Sequence, residues 1–357
     1  MPLQNLRIES FRCLEDNQLA LGPTKNYFFG PNGAGKTSLL ETIHLLGRGR
    51  SFRTRRSRQL IRHGEQSFSV SGTVIDPKGT KNRLGIQFSD GSLTPRLNGS
   101  RAKSVAKLAQ KLPVHIIEPN IHSLVEGPPS GRRGFLDWGV FHVEQGYLEA
   151  WRKYRRTLGQ RNSALKKGEG RRTLDVWTAT LVESAGPVEE LRARYVAQIE
   201  SLLQPIGHQL LNEAVNLEYR SGWDGNSSFK EALEASWHKD CAMRTTSVGP
   251  HRADLVLRMN DRRVREEVSR GQQKLLAAAL VLAQTELFVA TCGNVGVLLV
   301  DDPAAELDER SLGRLLRVLD TLPAQQILTG LSKATLPPDQ GAPVFHVEQG
   351  KITKVVQ

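Results

Sequence analysis

The chain has 357 residues, which is enough for two domains or for one large domain with an insertion. Hydrophobic residues make up 39% of the sequence and charged residues 24%, so the apolar content can fill a core and an intrinsically disordered protein is excluded. The 49 Lys and Arg residues outnumber the 37 Asp and Glu residues, and the resulting net charge of +12 favours a polyanionic partner such as nucleic acid.

Cysteine usage and hydropathy predict a cytoplasmic protein. The three cysteines are far apart and odd in number, which favours a reducing compartment without a disulfide framework. The N-terminus lacks an apolar signal segment, so no secretion is predicted. The longest apolar stretch, 275–290, carries Gln284 and Glu286 and falls short of the roughly 20 residues of a membrane span.

The N-terminal part of the chain predicts strands around one helix. Segment 3–8 reads as an amphipathic strand, and apolar residues alternate at period two in segments 68–74 and 84–88. Between these strands, segment 37–46 reads as a helix and begins directly after a glycine-rich loop.

That loop fits the phosphate-loop pattern G-x-x-x-x-G-K-[ST] and lies between an apolar strand at 27–29 and the helix, which is the context that the motif requires. Glycines let successive backbone N–H groups point at phosphate oxygens, and the helix N-terminus adds partial positive charge. We predict that Lys36 bridges the β- and γ-phosphates of a nucleotide and that Thr37 binds Mg²⁺. The alternative is a glycine-rich turn that matches by chance. The predicted nucleotide contacts are Gly30, Pro31, Asn32, Gly33, Ala34, Gly35, Lys36 and Thr37.

The middle of the chain has a different pattern of apolar residues. After a Pro/Gly-rich break at 126–131, aromatic and aliphatic residues recur at helical spacing on both sides of a Gly-rich turn at 168–170, which predicts an antiparallel helical hairpin with basic outer faces. From about residue 245 the pattern returns to strand, helix, strand. We predict one α/β domain assembled from 1–125 and 245–357, with a mainly helical insertion at 126–244.

A continuous apolar strand at 297–300 ends in two carboxylates, and such a run is typical of a buried parallel strand. We predict that Asp301 holds Mg²⁺, directly or through water, and that Asp302 orients or deprotonates the water that attacks the γ-phosphate. A solvated strand end is the alternative. Upstream, Ser269 and Gly271 precede a long apolar helix, where free N–H groups can bind an anion. The simpler alternative there is a serine N-cap.

Together these motifs resemble the SMC/Rad50/RecF group of ABC-type ATPases, over essentially the whole chain. Segment 269–273 resembles the signature loop of that group, and 305–308 resembles its D-loop. Within 119–137 the pattern of Leu124, Gly127, Pro129, Arg132, Arg133 and 135–137 is similar to a signature of the RecF family of bacterial recombination mediators, although Asn120 stands where an acidic residue is usual. Segments 249–252 and 301–308 are also RecF-like.

The resemblance implies an ABC-type P-loop ATPase head with a helical insertion, similar to a truncated Rad50 head. It implies a homodimer that forms on ATP, with Ser269, Gly271 and Gln272 of one subunit contacting the γ-phosphate bound by the other. It also implies weak DNA-dependent ATPase activity, DNA binding next to single-strand gaps, and loading of RecA with RecO and RecR. Two features of the group have no clear counterpart: a glutamine loop, near which His115 falls, and a switch histidine after 326–329.

Arginines are densest just after the first helix, and we predict DNA contacts at Arg53, Arg55, Arg56 and Arg58. Arg53 is expected to couple DNA to the nucleotide, because SMC proteins carry arginines at a similar distance from the phosphate loop. Arginine binds phosphate bidentately, and without aromatic residues nearby, contact with a duplex backbone is favoured over base stacking. A solvated basic face is the alternative. The helical insertion carries a second basic cluster, which includes Arg152, Arg156 and Arg161.

Two other functions fit parts of this pattern. One is a structural, ATP-gated DNA clamp in which hydrolysis matters little. The other is the ATPase subunit of a membrane transporter, which the basic charge and the RecF-like signature disfavour.

Overall fold

The computed structural model describes residues 2–76, 78–260, 262–293 and 295–355. They form two compact units, Met1–Ile121 with Leu280–Gln357 as the first and His122–Ala279 as the second. This division records where the chain contacts itself most densely. The domain boundaries stated above, 1–125 with 245–357 and 126–244, remain a prediction.

The N-terminal segment of the first unit supplies most of its strands. Its elements are β1 (Leu3–Glu9), β2 (Asn17–Ala20), β3 (Lys25–Phe29), α1 (Lys36–Arg48), β4 (Phe68–Ile75), β5 (Lys81–Ser89), β6 (Ser92–Leu97), β7 (Ser100–Arg101), α2 (Val105–Ala109) and β8 (Val114–Ile117). A short 3₁₀ turn at Ser57–Leu60 lies between α1 and β4.

The second unit is mainly helical. Its elements are α3 (Ser123–Glu126), α4 (Pro129–Val143), α5 (Tyr147–Lys167), α6 (Arg171–Leu211), β9 (Val215–Arg220), α7 (Phe229–Ala235), α8 (Trp237–Met243), β10 (Asp254–Met259), β11 (Arg262–Arg263) and α9 (Val264–Glu267). The next helix, α10 (Arg270–Cys292), begins in this unit and continues into the first.

The C-terminal segment completes the first unit. Its elements are β12 (Val297–Val300), α11 (Pro303–Glu306), α12 (Glu309–Thr321), β13 (Gln325–Gly330), β14 (Val344–Glu348) and β15 (Lys351–Val355).

One sheet of the first unit is mostly parallel, with strand order β15-β14-β3-β13-β12-β8. All neighbours except the terminal β14–β15 hairpin pair in parallel. The carboxyl ends of parallel strands meet at one edge of a sheet, which is where ligands bind in open α/β folds. The phosphate loop follows β3, Asp301 follows β12, and Gly330 ends β13 at that edge.

The other sheet of the first unit is antiparallel, with order β2-β1-β4-β5-β6-β7. In β4 and β5, buried residues alternate with more exposed ones, as the period-two pattern predicts, and β4 does so along its whole length. One buried core cluster joins residues of this sheet, such as Ile8 and Val70, to Leu40 of α1 and Leu299 of the parallel sheet. The phosphate-loop helix is therefore fixed by the core that both sheets share.

In the second unit, α5 and α6 form the predicted helical hairpin. Ala164, Leu165 and Leu174 form a buried cluster beside the connecting turn. The sequence did not predict β9, which pairs with β10 in a small antiparallel sheet whose other edge strand is β11. One expectation for the basic surface is wrong: Arg161 is fully buried and binds Asp240 at 2.8 Å, because a guanidinium in a core must meet a carboxylate.

By length and composition alone, helix α10 could cross a membrane. However, 72% of its most apolar 18-residue segment is buried inside the protein. An apolar helix with this degree of burial is typical of a protein core.

Candidate nucleotide site

The phosphate loop curls from the end of β3 into α1 and encloses the ammonium group of Lys36. Lys36 donates hydrogen bonds to the carbonyl oxygens of Gly30 at 2.7 Å and Pro31 at 3.1 Å. The side chain is nearly buried, and burial lowers its pKa while Asp302 and Asp301 oppose that effect. The loop thus holds a cation in position, and a phosphate can replace its carbonyl partners.

Two glycines of the loop are required by its packing. A Cβ atom on Gly30 would lie 2.0 Å from the carbonyl oxygen of Val347 in β14. Gly35 has a φ of +113°, and its Cβ would lie 2.8 Å from the Leu14 side chain. The turn after β14 also binds the loop, since the Gly350 N–H donates to the Ala34 carbonyl at 2.9 Å. The chain's C-terminal hairpin therefore helps to shape the site.

Asp301 lies directly opposite the first turn of α1. Its Oδ1 atom accepts hydrogen bonds from the hydroxyl of Thr37 at 3.1 Å and from the hydroxyl of Thr329 at 2.9 Å. Burial raises the pKa of Asp301, and the two hydroxyl bonds work against that rise. A hydroxyl and a carboxylate oxygen in contact are the hard oxygen ligands that Mg²⁺ prefers, so Thr37 and Asp301 fit the predicted metal site.

Asp302 has an unusual backbone conformation, with a φ of 42°. Its N–H donates to the Thr329 hydroxyl at 3.0 Å, so one threonine from β13 holds both carboxylate residues. Burial raises the pKa of Asp302, while the Lys36 charge lowers it. Within the described part of the chain, the buried Oδ1 atom of Asp302 has no hydrogen-bond partner. A buried oxygen without a partner is costly, and a water or substrate atom would satisfy it.

These groups line a cavity of about 840 Å³, a volume within the range of ligand pockets. Eight of the site residues predicted from the sequence lie on its wall. They are Asn32, Gly33, Gly35, Lys36, Thr37, Arg53, Asp301 and Asp302. Gly30 and Pro31 supply the carbonyls that hold Lys36, and Ala34 binds the C-terminal turn. Ala305 and Glu306, at the position predicted to be the D-loop, also line the cavity.

Three further basic side chains line this wall, namely Arg12, Arg62 and His63. Arg62 belongs to the arginine cluster that the sequence predicts after the first helix, whereas a place for Arg12 and His63 at this site was not predicted. Arg12 follows β1, and Arg62 follows the 3₁₀ turn, where it donates to the carbonyl oxygen of Leu14. Their positions depend on the bridge between Phe11 and Ile61, which joins two loops distant in sequence.

Glu118, directly after β8, was also missed. Burial, helped by repulsion from Asp301, raises the pKa of Glu118 to about 7. Its neighbour Pro119 lines the cavity, whereas His115 is buried in β8 with its ring 6.4 Å from that of Phe288. Glu118 thus lies at the end of β8 where its charge interacts with that of Asp301.

The raised pKa of Glu118 predicts a pH-dependent stability. The native state holds this proton more tightly than the unfolded chain, whose ordinary pKa is 4.5, so stability falls as pH rises from 4.5 through 7. We expect Glu118→Gln to increase the free energy of unfolding at pH 8 by up to about 3 kcal/mol, at about 1.4 kcal/mol per pKa unit, and to change it little at pH 4. Urea unfolding without nucleotide or Mg²⁺ measures this, with exposed Glu149→Gln as control. Equal effects at both pH values would contradict it.

Ser269 lies in the second unit at the start of α10. Its hydroxyl accepts from the Gln272 N–H at 3.4 Å, and the Gln272 side chain accepts in return from Ser269, an arrangement that resembles a capping box. Ser269 and Gly271 are exposed, and a Cβ on Gly271 would meet nothing within 4 Å. The serine N-cap is therefore present, and the predicted contact with a partner's nucleotide stays a prediction.

The predicted DNA-binding arginines fall into two groups. Arg53 lines the nucleotide cavity, whereas Arg55, Arg56 and Arg58 are exposed around the 3₁₀ turn. No carboxylate of the described ranges lies within 4.0 Å of the last three guanidinium groups. Their role in DNA binding remains a prediction.

The residues of the RecF-like signature hold the second unit together. Arg132 binds both carboxylate oxygens of Asp254, at 2.7 and 3.0 Å. Arg192 donates to Asp137 at 2.6 Å and to the carbonyl of Pro250 at 2.7 Å, and so ties two RecF-like segments to α6. Bidentate and buried pairs of this kind fix geometry.

Comparison with known proteins identifies the class. The family model described as "RecF/RecN/SMC N terminal domain" matches residues 2–353. A crystal structure of an SMC head bound to the C-terminal winged-helix domain of ScpA covers 99% of this chain and 98% of its own, with a TM-score of 0.63 at 15% identity, which shows the fold. The fold is therefore that of an ABC-type ATPase head, as the sequence predicts.

Proteins with higher sequence identity to this chain identify the family within this class. "DNA replication and repair protein RecF" of Shewanella baltica (strain OS155) is 36% identical over 99% of this chain and 100% of its own length. The protein of that name from Azotobacter vinelandii is 38% identical over 99% of both chains. A solved structure described as the recombination mediator protein RecF-ATP in the RecFOR pathway covers 99% of this chain and 98% of its own, with a TM-score of 0.89 at 27% identity. The chain belongs to the RecF family.

Proposed function

We propose that this protein is an ATP-dependent DNA-binding protein of recombination and repair, which dimerises on ATP and helps to load RecA with RecO and RecR. The observation that carries the proposal is the meeting of Lys36, Thr37, Asp301 and Asp302 on one cavity in a RecF-type chain. Relatives named as DNA replication and repair proteins, and a RecF structure with ATP, support it. The basic charge suits DNA, and a cytoplasmic location is part of the proposal.

In this mechanism, Lys36 leaves its loop carbonyls to bind the β- and γ-phosphates of ATP. Thr37 and Asp301 hold Mg²⁺, which neutralises phosphate charge when it is bound. The carboxylate of Asp302, which lies on the cavity wall, accepts a hydrogen bond from the attacking water and orients it towards the γ-phosphate. The bond from the Asp302 N–H to the Thr329 hydroxyl holds the backbone that carries this carboxylate.

ATP also becomes part of a dimer interface in this proposal. The N-terminus of α10 in one subunit, with Ser269, Gly271 and Gln272, meets the γ-phosphate bound by the other. A ligand that binds only the dimer shifts the equilibrium towards it by its differential affinity, and hydrolysis removes the contact. Slow turnover fits such a switch.

Substituting Ser269 tests the composite interface. We expect Ser269→Arg to bind ATP as a monomer but to fail to dimerise, because bulk and charge enter the contact with the partner's nucleotide. Light scattering with a non-hydrolysable ATP analogue measures the mass. Ser228, which caps α7 in the same unit through a capping box, provides the control Ser228→Arg, which should dimerise normally. Normal dimerisation of Ser269→Arg would contradict the model.

The exposed arginine cluster gives a test of DNA binding. Neutralising Arg55, Arg56 and Arg58 together should weaken binding to duplexes of every sequence, and the log–log salt slope should fall by about 0.9 for each DNA phosphate that is no longer neutralised. Fluorescence anisotropy over a salt series measures the slope. The control removes three exposed charges from the helical insertion, at Arg152, Arg156 and Lys166. An unchanged slope in the first variant, with a reduced slope in the control, would move the DNA site to the insertion.

The function as a whole is tested by DNA retention with ATP, ADP and a non-hydrolysable analogue on duplex, single-stranded and gapped DNA. We expect retention to require ATP or the analogue and to favour DNA with a duplex segment. A structural, ATP-gated clamp is the second candidate, and the short side chain of Asp302, where transporters carry a glutamate, favours weak hydrolysis. For a clamp, variants that block turnover would retain full repair activity in cells.

A further inference from the structure

A buried carboxylate in α1 connects the nucleotide cavity to the arginine-rich loop. Glu41 is 0% exposed and accepts two hydrogen bonds from Arg12, each 2.9 Å long. It also accepts a short hydrogen bond from the Ser51 hydroxyl. The Ser51 oxygen in turn accepts from the N–H groups of Arg53 and Thr54, so the loop that follows α1 is anchored on Glu41.

The same carboxylate attracts a second guanidinium group, but less tightly. Arg53 Nη1 lies 3.7 Å from Glu41 Oε2, which is an ion pair without a hydrogen bond. The Arg53 side chain is 45% exposed, whereas that of Arg12 is 21% exposed. Arg12 is therefore fixed on Glu41, and Arg53 is held mainly by charge and can exchange Glu41 for another anion.

Arg53 lies on the walls of two cavities. One is the nucleotide cavity of about 840 Å³, and the other is a cavity of about 400 Å³ that is lined mainly by residues of α1 and of the loop after it. The second cavity is lined by arginines and by rings, and Glu118 is the acidic residue on its wall; its main lining residues are His44, Arg48, Arg50, Phe52, Arg53 and Arg55. Within the part of the chain that the structure describes, Arg50 and Arg55 have no carboxylate within ion-pair distance. A concave surface with several arginines favours a phosphate group.

We propose that Glu41 is a positioning residue that holds Arg53 between two phosphate sites, the nucleotide cavity and the second cavity, and that the second cavity binds a backbone phosphate of DNA. This inference rests on the proposed DNA binding. Phosphate in the second cavity draws Arg53 away from Glu41, and the remaining bidentate bond to Arg12 keeps Glu41 paired. Because Ser51 anchors the loop, the side chain of Arg53 moves while the loop backbone stays in place.

The coupling between the two sites is the quantity to measure. It is the factor by which a non-hydrolysable ATP analogue tightens duplex binding, which needs no turnover and is reciprocal between the two ligands. We expect Glu41→Gln to reduce this factor about five-fold or more. In an Arg53→Ala background the same substitution should change the factor no further, because Glu41 acts through Arg53. Glu41→Asp, which keeps the charge, should restore part of the factor.

Controls separate positioning from folding. If Glu41→Gln does not fold, Ser51→Ala releases the loop from Glu41 without removing a charge, and it should reduce the factor in the same direction. Arg58→Ala, which lies outside both cavities, should weaken duplex binding equally with and without the analogue. If the double variant reduced the coupling factor by the product of the reductions seen in Glu41→Gln and in Arg53→Ala, the two residues would act independently. That result would overturn the positioning role of Glu41.

The second cavity is tested without nucleotide. Arg50→Ala should weaken duplex binding several-fold, whereas Arg101→Ala, an exposed arginine outside both cavities, should not. Weaker binding of the analogue to Arg50→Ala without DNA would assign the cavity to a nucleotide phosphate and overturn the proposal. If the wild-type protein binds no duplex, the proposed function fails as well. If it binds duplex and Arg50→Ala is neutral, only this inference fails.

Discussion

Lys36→Ala is expected to lose ATP binding, ATP-dependent dimerisation and DNA retention together. The ammonium group of Lys36 is nearly buried. Among the described residues, it is the cation that hydrogen-bonds to the loop carbonyls of Gly30 and Pro31. Removing it leaves phosphate charge uncompensated in a desolvated site, which typically costs about 2–5 kcal/mol, or on the order of 30- to 5000-fold in affinity. Dimerisation and DNA retention fall with ATP binding, because the proposed dimer forms around the nucleotide.

Isothermal titration with ATP and Mg²⁺ measures the first effect, and light scattering with the analogue measures the second. Lys36→Arg should bind ATP more strongly than Lys36→Ala but still turn over poorly, because the larger guanidinium fits the loop badly. Lys25→Ala is the matched control, since Lys25 pairs with Asp320 and Asp339 at the opposite end of β3. Normal ATP affinity in Lys36→Ala would refute the assignment of the phosphate loop.

The sequence predicts the central elements of the fold because their signals are local. Alternation at period two gives β4 and β5, and the continuous apolar run gives the buried strand β12. The phosphate loop is recognisable because its glycines, lysine and flanking elements are contiguous. The pairing of Thr37 with Asp301, 264 residues apart, follows from the rule that parallel strands end at one edge.

The residues that sequence analysis missed depend on tertiary pairing. Thr329 meets Asp301 and Asp302 only because β13 lies beside β12, and strand order is not a local signal. Glu118 gains its raised pKa from burial at the end of β8, and Arg12 gains its position from Glu41. A charged residue carries no special signal in the sequence until the fold supplies its partner.

The seven-residue sequence Val-Phe-His-Val-Glu-Gln-Gly occurs twice in the chain, and its secondary structure depends on its surroundings. Its copy at 140–146 ends helix α4, whereas its copy at 344–350 forms β14 and the following turn. Both copies end on a glycine with a φ of +84°. The turn signal of glycine is therefore local, while the choice between helix and strand follows from packing, since β14 pairs with β3 along the core sheet.

Asp302→Asn should bind ATP and form the dimer while turning over at least about 100-fold more slowly, because general-base and orienting groups contribute about 10²–10⁴-fold. The amide keeps the shape of the side chain but loses the charge that accepts the proton from water. The dimer should then stay on DNA, since the step that separates it is blocked. Thr329→Val provides a comparison: it removes the hydroxyl that holds Asp301 and the Asp302 N–H, so it should weaken Mg²⁺ binding as well as turnover.

Single-turnover hydrolysis and DNA retention, measured on the same samples, distinguish these outcomes. If Asp302→Asn leaves dimers trapped on DNA, water orientation is assigned to Asp302. If only Thr329→Val raises the Mg²⁺ concentration required for hydrolysis, metal binding is assigned to Asp301. If Asp302→Asn turned over at the wild-type rate, the water would have to be oriented by another carboxylate on or beside this cavity wall. Glu306, which lines the cavity, and Glu118, which follows β8, would then be the first substitutions to make.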